Sequence, residues 1–194
     1  MAYNNSFLDI SIINSALHRR YFQYPSSKGQ ILEFNDIAEW RDHLYAFRIH
    51  SHRVPVVYAD QFHVALKLLL FAWADGYVLK AAELAALSAL EGSLKFVYYQ
   101  RLHSDKSKSR IGLANYLEYM EKEDNLSEIY QYEKFKGQPN ALNVIRNGIA
   151  HGYPFSNLPW GGLMETVRDI IEHAFRNYPA GSEPLEQSSD LFLE

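Results

Sequence analysis

Apolar residues recur at helical spacing along nearly the whole chain, and the pattern predicts a helical protein. Phe7 to about Tyr21 brings Leu8, Ile12 and Ala16 to one face, with Ser6 placed to cap the start. Tyr24 to Gln30, holding Pro25, Ser26, Ser27 and Gly29, reads as a loop. Ile31-Leu32-Glu33-Phe34 has the makings of a brief strand, but the pattern favours a lead into a helix from about Asn35 to His50. That helix would carry Ile37, Trp40, Leu44 and Phe47 on one stripe.

A turn from His50 to Pro55 precedes a helix from Asp60 to Asp75, whose core face is Phe62, Ala65, Leu66, Leu69 and Trp73. Leu68, Leu70 and Phe71 leave it almost no polar side, and a helix apolar all round is central or lies in an interface. Leu79 to His103 is the longest predicted helix, rich in Ala and Leu, which are strong helix formers. Ser104 to Gly112 is a basic, serine-rich loop. Shorter helices follow at Leu113 to Lys122, Leu126 to Phe135 and Asn140 to His151. Gly152 to Gly162 is an aromatic loop, and Leu163 to Asn177 is an amphipathic helix with Val167, Ile170, Ile171 and Ala174 on one face. The expected fold is an all-α antiparallel bundle of six to seven helices. It would form one domain over 1–178, with a core at 60–177, N-terminal helices over 7–50 packed on it, and a loosely ordered acidic tail at 179–194.

Composition narrows the function classes. With 194 residues, 47% of them hydrophobic, the chain can bury one sizeable core. A net charge of −4 argues against a dedicated nucleic-acid binder, so any such site must be a local positive cleft or one built by an oligomer. The absence of cysteine removes disulfides, thiolate metal sites and cysteine nucleophiles, and it fits a cytoplasmic protein. Met1 to Asn14 shows no basic segment leading into an apolar one, and Val64 to Ala74 is too short to span a bilayer. No secretory leader, membrane span or cofactor is expected.

The chemistry concentrates in Arg146-Asn147-Gly148-Ile149-Ala150-His151-Gly152-Tyr153. Leu142, Ile145 and Ile149 form a narrow apolar stripe, with Asn140, Asn143, Asn147 and His151 opposite. Three asparagines and Gly148 are poor helix formers, the glycine by roughly 0.5 kcal/mol or more. Local preference is thus sacrificed here, which is a mark of function. An arginine stabilises negative charge, and a histidine moves a proton near neutral pH. Asn147 and His151 are neighbours one turn apart, whereas Arg146 sits about 140° round the helix from His151. Arg146 must therefore curl round the helix or act with a second subunit. His151 ends the helix before a Gly152 cap, where the helix dipole favours an imidazolium. The same dipole makes Arg and His ordinary helix caps, so the bland reading stands beside the chemical one.

Arg146-Asn147-x-x-Ala150-His151-Gly152 resembles the signature of the HEPN superfamily (higher eukaryotes and prokaryotes nucleotide-binding), and the resemblance spans roughly Asp60 to Asn177. It implies a homodimeric helical bundle, in many members a metal-independent endoribonuclease of toxin–antitoxin or defence systems. His151 would be the acid/base, Arg146 the phosphate and transition-state ligand, and Asn147 a positioning group. RNA would be cleaved by its own 2′-hydroxyl, leaving a 2′,3′-cyclic phosphate. Glu91, among Leu84, Leu87, Leu90 and Leu94, needs a partner. Lys95, four residues on, is the ordinary one, and the resemblance offers Arg146 instead. Tyr153 resembles the tyrosine that a partner nucleotidyltransferase antitoxin modifies in some members; packing is its other reading. The rival functions are a non-catalytic HEPN module that binds a nucleotide or a protein, and a plain helical interaction domain.

Three further features carry bland readings. His50-Ser51-His52 has zinc-ligand spacing, but the sequence shows no evident third ligand unless His63 or His43 folds near, and the stretch reads better as a solvated turn. Lys106, Lys108 and Arg110 suit phosphates or a solvated loop. Tyr153, Phe155 and Trp160 suit base stacking or packing, and Trp73, Tyr98 and Tyr99 suit the core or a dimer contact.

Overall fold

A computed structural model describes residues 21–105, 111–124, 141–150 and 159–181. Among these, six helices and one small hairpin form an all-α bundle: β1 (Phe22–Pro25), β2 (Ile31–Phe34), α1 (Ile37–Tyr45), α2 (Val56–Phe71), α3 (Val78–Asp105), α4 (Leu113–Asp124), α5 (Ala141–Ala150) and α6 (Leu163–Ala174). The helices expected at 7–21 and 126–135 and the tail from 182 lie outside the described residues.

The hairpin corrects the sequence reading at both strands. Phe22 to Pro25 pairs antiparallel with Ile31 to Phe34, in the register Phe22 with Phe34 and Tyr24 with Leu32. Ile31 to Phe34 is therefore a strand, not the approach to a helix. Alternation decides it: Phe22 and Tyr24 face inward while Gln23 is exposed. Phe22, Tyr24 and Phe34 then surround Trp40, with ring centroids 4.8–5.1 Å away. The Trp40 indole N–H donates to the Leu69 carbonyl at 2.9 Å, which ties hairpin and α1 to α2.

Helix α1 is shorter than expected. Asp36 caps its start by accepting from the Ala38 and Glu39 amides, and Glu39 accepts from the Asn35 amide. The helix stops before Phe47, which is buried in the turn beyond, and Ile37 faces solvent. Helix α2 begins and ends four residues earlier than its apolar stripe suggests. Pro55 sets its start, and Trp73 is buried past its end. Helix α3 is the spine. Ala82, Ala86, Leu87, Leu90, Leu94, Tyr98 and Leu102 are all buried, against α2, α4, α5 and α6. Its small residues let neighbouring helices approach closely, and its leucines fill the space between them. No described helix is long and apolar enough to cross a membrane.

The hairpin turn also locks the start of α6. Gly162 has φ 81°, and a Cβ there would fall 2.8 Å from Ser27 Cβ and 3.0 Å from its Cα. Gly29, in the hairpin turn, has φ 77° but open space around it. Alanine at either position incurs a left-handed strain of about 1–2 kcal/mol, and only at Gly162 is there also a clash with backbone. Gly162→Ala should therefore lower the unfolding free energy clearly more than Gly29→Ala. Equal losses in denaturant titrations would show that the hairpin does not press on α6.

Candidate active site

Helix α5 enters the bundle by the apolar stripe its sequence carries. Leu142 and Ile145 are buried, and Ile149 packs partly buried against the core. Arg146 and Asn147 are left half-buried at the edge. The arginine does curl. Its Nη2 lies 3.0 Å from Glu91 Oε2 on α3, and its Nη1 donates to Asn147 Oδ1 at 3.1 Å. The guanidinium is thus drawn to the Asn147 side of α5, the side that a straight helical wheel denies it. The pair is partly screened, with 35% of the Arg146 side chain and 25% of that of Glu91 exposed. The Arg146 Nε–H is buried with no hydrogen-bond partner among the described residues.

Glu91 also faces the start of α4. Its Oε1 is 3.9 Å from where a Gly112 Cβ would sit, and α4 has no acidic residue in its first turn. A carboxylate there meets the positive end of a helix dipole. Lys95, the ordinary local partner, lies instead over the Tyr99 ring, 5.7 Å from its centroid. Of the predicted site residues, the structure thus brings together Arg146, Asn147 and Glu91. His151 and Tyr153 lie outside the described residues, as do Phe155, Lys106, Lys108 and Arg110.

The histidine spacing does not build a metal centre. His63 Nε2 accepts the Ile49 amide at 3.3 Å. His43 is enclosed by Tyr24, Phe34, Trp40 and Phe47, and burial lowers its pKa. The amides of His50 and Ser51 both donate to Glu172 Oε1, so this turn is fastened to α6 by its backbone. Among the described residues no three His, Cys, Asp or Glu side chains are grouped to hold a metal ion.

Two polar clusters escape the sequence reading. Glu83 lies on α3 two turns before Glu91 and is fully buried. It takes the Lys80 ammonium at 2.8 Å and the Trp160 amide at 2.6 Å. It therefore holds the chain just before α6, while Glu91 holds the helix on the other side of residues 151–158. A buried glutamate three residues after a lysine is legible as a local pair, but its backbone partner 77 residues away is not. The second cluster is Asp124, which accepts from Tyr98 at 3.1 Å, from His173 Nε2 at 3.0 Å and from Arg176. It clasps α3, α4 and α6 together.

These carboxyls respond to pH in opposite senses. Burial raises the pKa of Glu83 against the Lys80 and Trp160 hydrogen bonds. Burial likewise raises Glu165, whose Oε2 has no hydrogen-bond partner among the described residues. A raised carboxyl contributes stability below its ordinary pKa and loses it as pH climbs through the folded value. Burial pushes Asp124 up as well, but hydrogen bonds from Arg176, His173 and Tyr98 and the Arg176 charge outweigh it, and its pKa is lowered. Its contribution is present above the ordinary value and fades as pH falls through the lowered one. Glu165→Gln should raise the thermal midpoint at about pH 7 and lose that gain near pH 4. Asp124→Asn should lower it at about pH 7, with a difference that shrinks below pH 3. Variant and wild-type curves running parallel across this range would contradict both assignments.

No protein-family model matches the chain, and no curated protein or solved structure matches it.

Proposed function

We propose that the chain is a metal-independent endoribonuclease of the HEPN type, acting as a cytoplasmic homodimer in a toxin or defence role. The observation that carries this reading is the bridge from Glu91 through the Arg146 guanidinium to Asn147. A guanidinium aimed by a carboxylate on a neighbouring helix is pre-organised, and pre-organised charge is what stabilises a phosphoryl transition state. Asn147 marks where the arginine is aimed, and His151 follows one helical turn later in sequence.

In this mechanism the ribose 2′-oxygen bonds to the adjacent phosphorus and the bond from phosphorus to the 5′-oxygen breaks. The His151 imidazolium gives its proton to the departing 5′-oxygen, and the unprotonated His151 of the second copy takes the proton from the 2′-hydroxyl. Arg146 neutralises the charge gathering on the non-bridging oxygens. A cleft shared by two copies would concentrate positive charge locally on a chain whose net charge is −4. Tyr153, next in the motif, is the position that a partner nucleotidyltransferase would modify to silence the enzyme.

Incubation with total RNA in a chelating buffer tests the reading. Wild type should leave 2′,3′-cyclic phosphate ends. His151→Ala should lose about 10²-fold or more of the rate, and Arg146→Ala about 10²–10³-fold. A folded protein that cleaves none of several RNA classes, yet retains them in a binding assay, would instead be a nucleotide-binding module.

A further inference from the structure

Helix α2 carries an apolar row that the rest of the described structure does not cover. Val57 is 44% exposed, Val64 47% and Phe71 65%; Leu68 is half-buried, and Gln61 completes the row. The positions 57, 61, 64, 68 and 71 alternate steps of four and three, the spacing of a seam between two helices. One flank of the row turns into the core, where Ala65 and Ala72 are buried and Tyr58 packs on Phe96 and Phe175. The other flank carries Asp60 and Lys67, both exposed and one heptad apart. Beside this tall row runs a low one on α3. Ala81, Ala85, Ser88 and Gly92 are exposed or half-buried at matching spacing, and Gln61 Oε1 lies 3.4 Å from where a Gly92 Cβ would sit. The low row is bordered on the α5 side by Glu91, the partner of Arg146.

We propose that this face binds a second copy of the chain, with the two α2 helices antiparallel across a two-fold axis at Val64. A two-fold axis sets the same patch of both copies together, so the α2 row meets the α2 row of the second copy. Centring the pair on Val64 sets Val57 against Phe71 of the second copy and Val64 against itself. It also sets Asp60 beside Lys67 of the second copy, and the two-fold makes this pair twice. A parallel pairing would carry the two charged flanks to opposite sides of the seam and pair neither charge. The proposal rests on the dimer assumed above and names where that dimer forms, with the Glu91–Arg146 pair at its edge.

The chain has no native cysteine, so single introduced cysteines report the geometry directly. Under mild oxidation Val64→Cys should cross-link to itself almost completely, because a disulfide needs Cα atoms within about 7 Å. Val57→Cys and Phe71→Cys should cross-link poorly alone and well when mixed. In sedimentation, Asp60→Lys should weaken the dimer at least tenfold, and Asp60→Lys with Lys67→Asp should restore it. A dimer in which Val64→Cys forms no cross-link and the charge changes have no effect would overturn this interface while leaving the dimeric ribonuclease intact. A monomer at all concentrations would overturn the interface, and RNA cleavage by that monomer would show that only the dimer, not the enzyme, had failed. A monomer in which the thiol of the Val64→Cys variant reacts slowly with a maleimide would mean that another part of the same chain covers the seam, and would also overturn it.

Discussion

Helix α3 packs against α2, α4, α5 and α6, and a carboxylate buried or half-buried on such a helix must draw its own partner out of the surrounding structure. Two carboxylates obey this constraint, eight residues or about 12 Å apart along the axis. Glu91 draws in the guanidinium of Arg146, and Glu83 draws in the amide of Trp160. Helix α5 and the approach to α6 are thereby both referred to one rigid element. A site built on such an element holds its geometry better than one left to a loop. Removing either partner would leave a buried or half-buried charge without compensation, which costs more than the pair itself contributes.

The rest of the bundle supports that placement from a distance. The hairpin turn presses on Gly162, Glu172 holds the turn before α2, and Asp124 clasps α3, α4 and α6. These contacts fall at the start of α6 and in its last turn, so the helix is fixed by polar contacts as well as by its apolar stripe. Their effect is to leave little freedom in where α6 sits.

Helical periodicity makes most of this fold legible, because burial every 3.6 residues imprints itself on the sequence within one element. The core positions of α2, α3 and α6 follow from it: Phe62, Ala65 and Leu69, then Leu87, Leu90 and Leu94, then Val167 and Ile171. The strands escape it because Ser26, Ser27 and Gly29 mark a loop just as well as a hairpin turn, and each strand is only four residues long. At the site, Glu91 is visible as a carboxylate in a leucine-rich helix, yet local spacing offers Lys95 as readily as Arg146. Only packing chooses between them. Glu83 with Trp160, and Asp124 with Tyr98, His173 and Arg176, join residues far apart in the chain, and no local period records such pairs.

In the proposed ribonuclease, Glu91 serves catalysis only by aiming Arg146. A double-mutant cycle on the RNA cleavage rate measures this directly. Glu91→Gln should slow cleavage in the wild-type background and have almost no further effect once Arg146 is alanine, since there is then no guanidinium to aim. Equal slowing by Glu91→Gln in both backgrounds would contradict the coupling and leave the ion pair as a packing feature of the bundle.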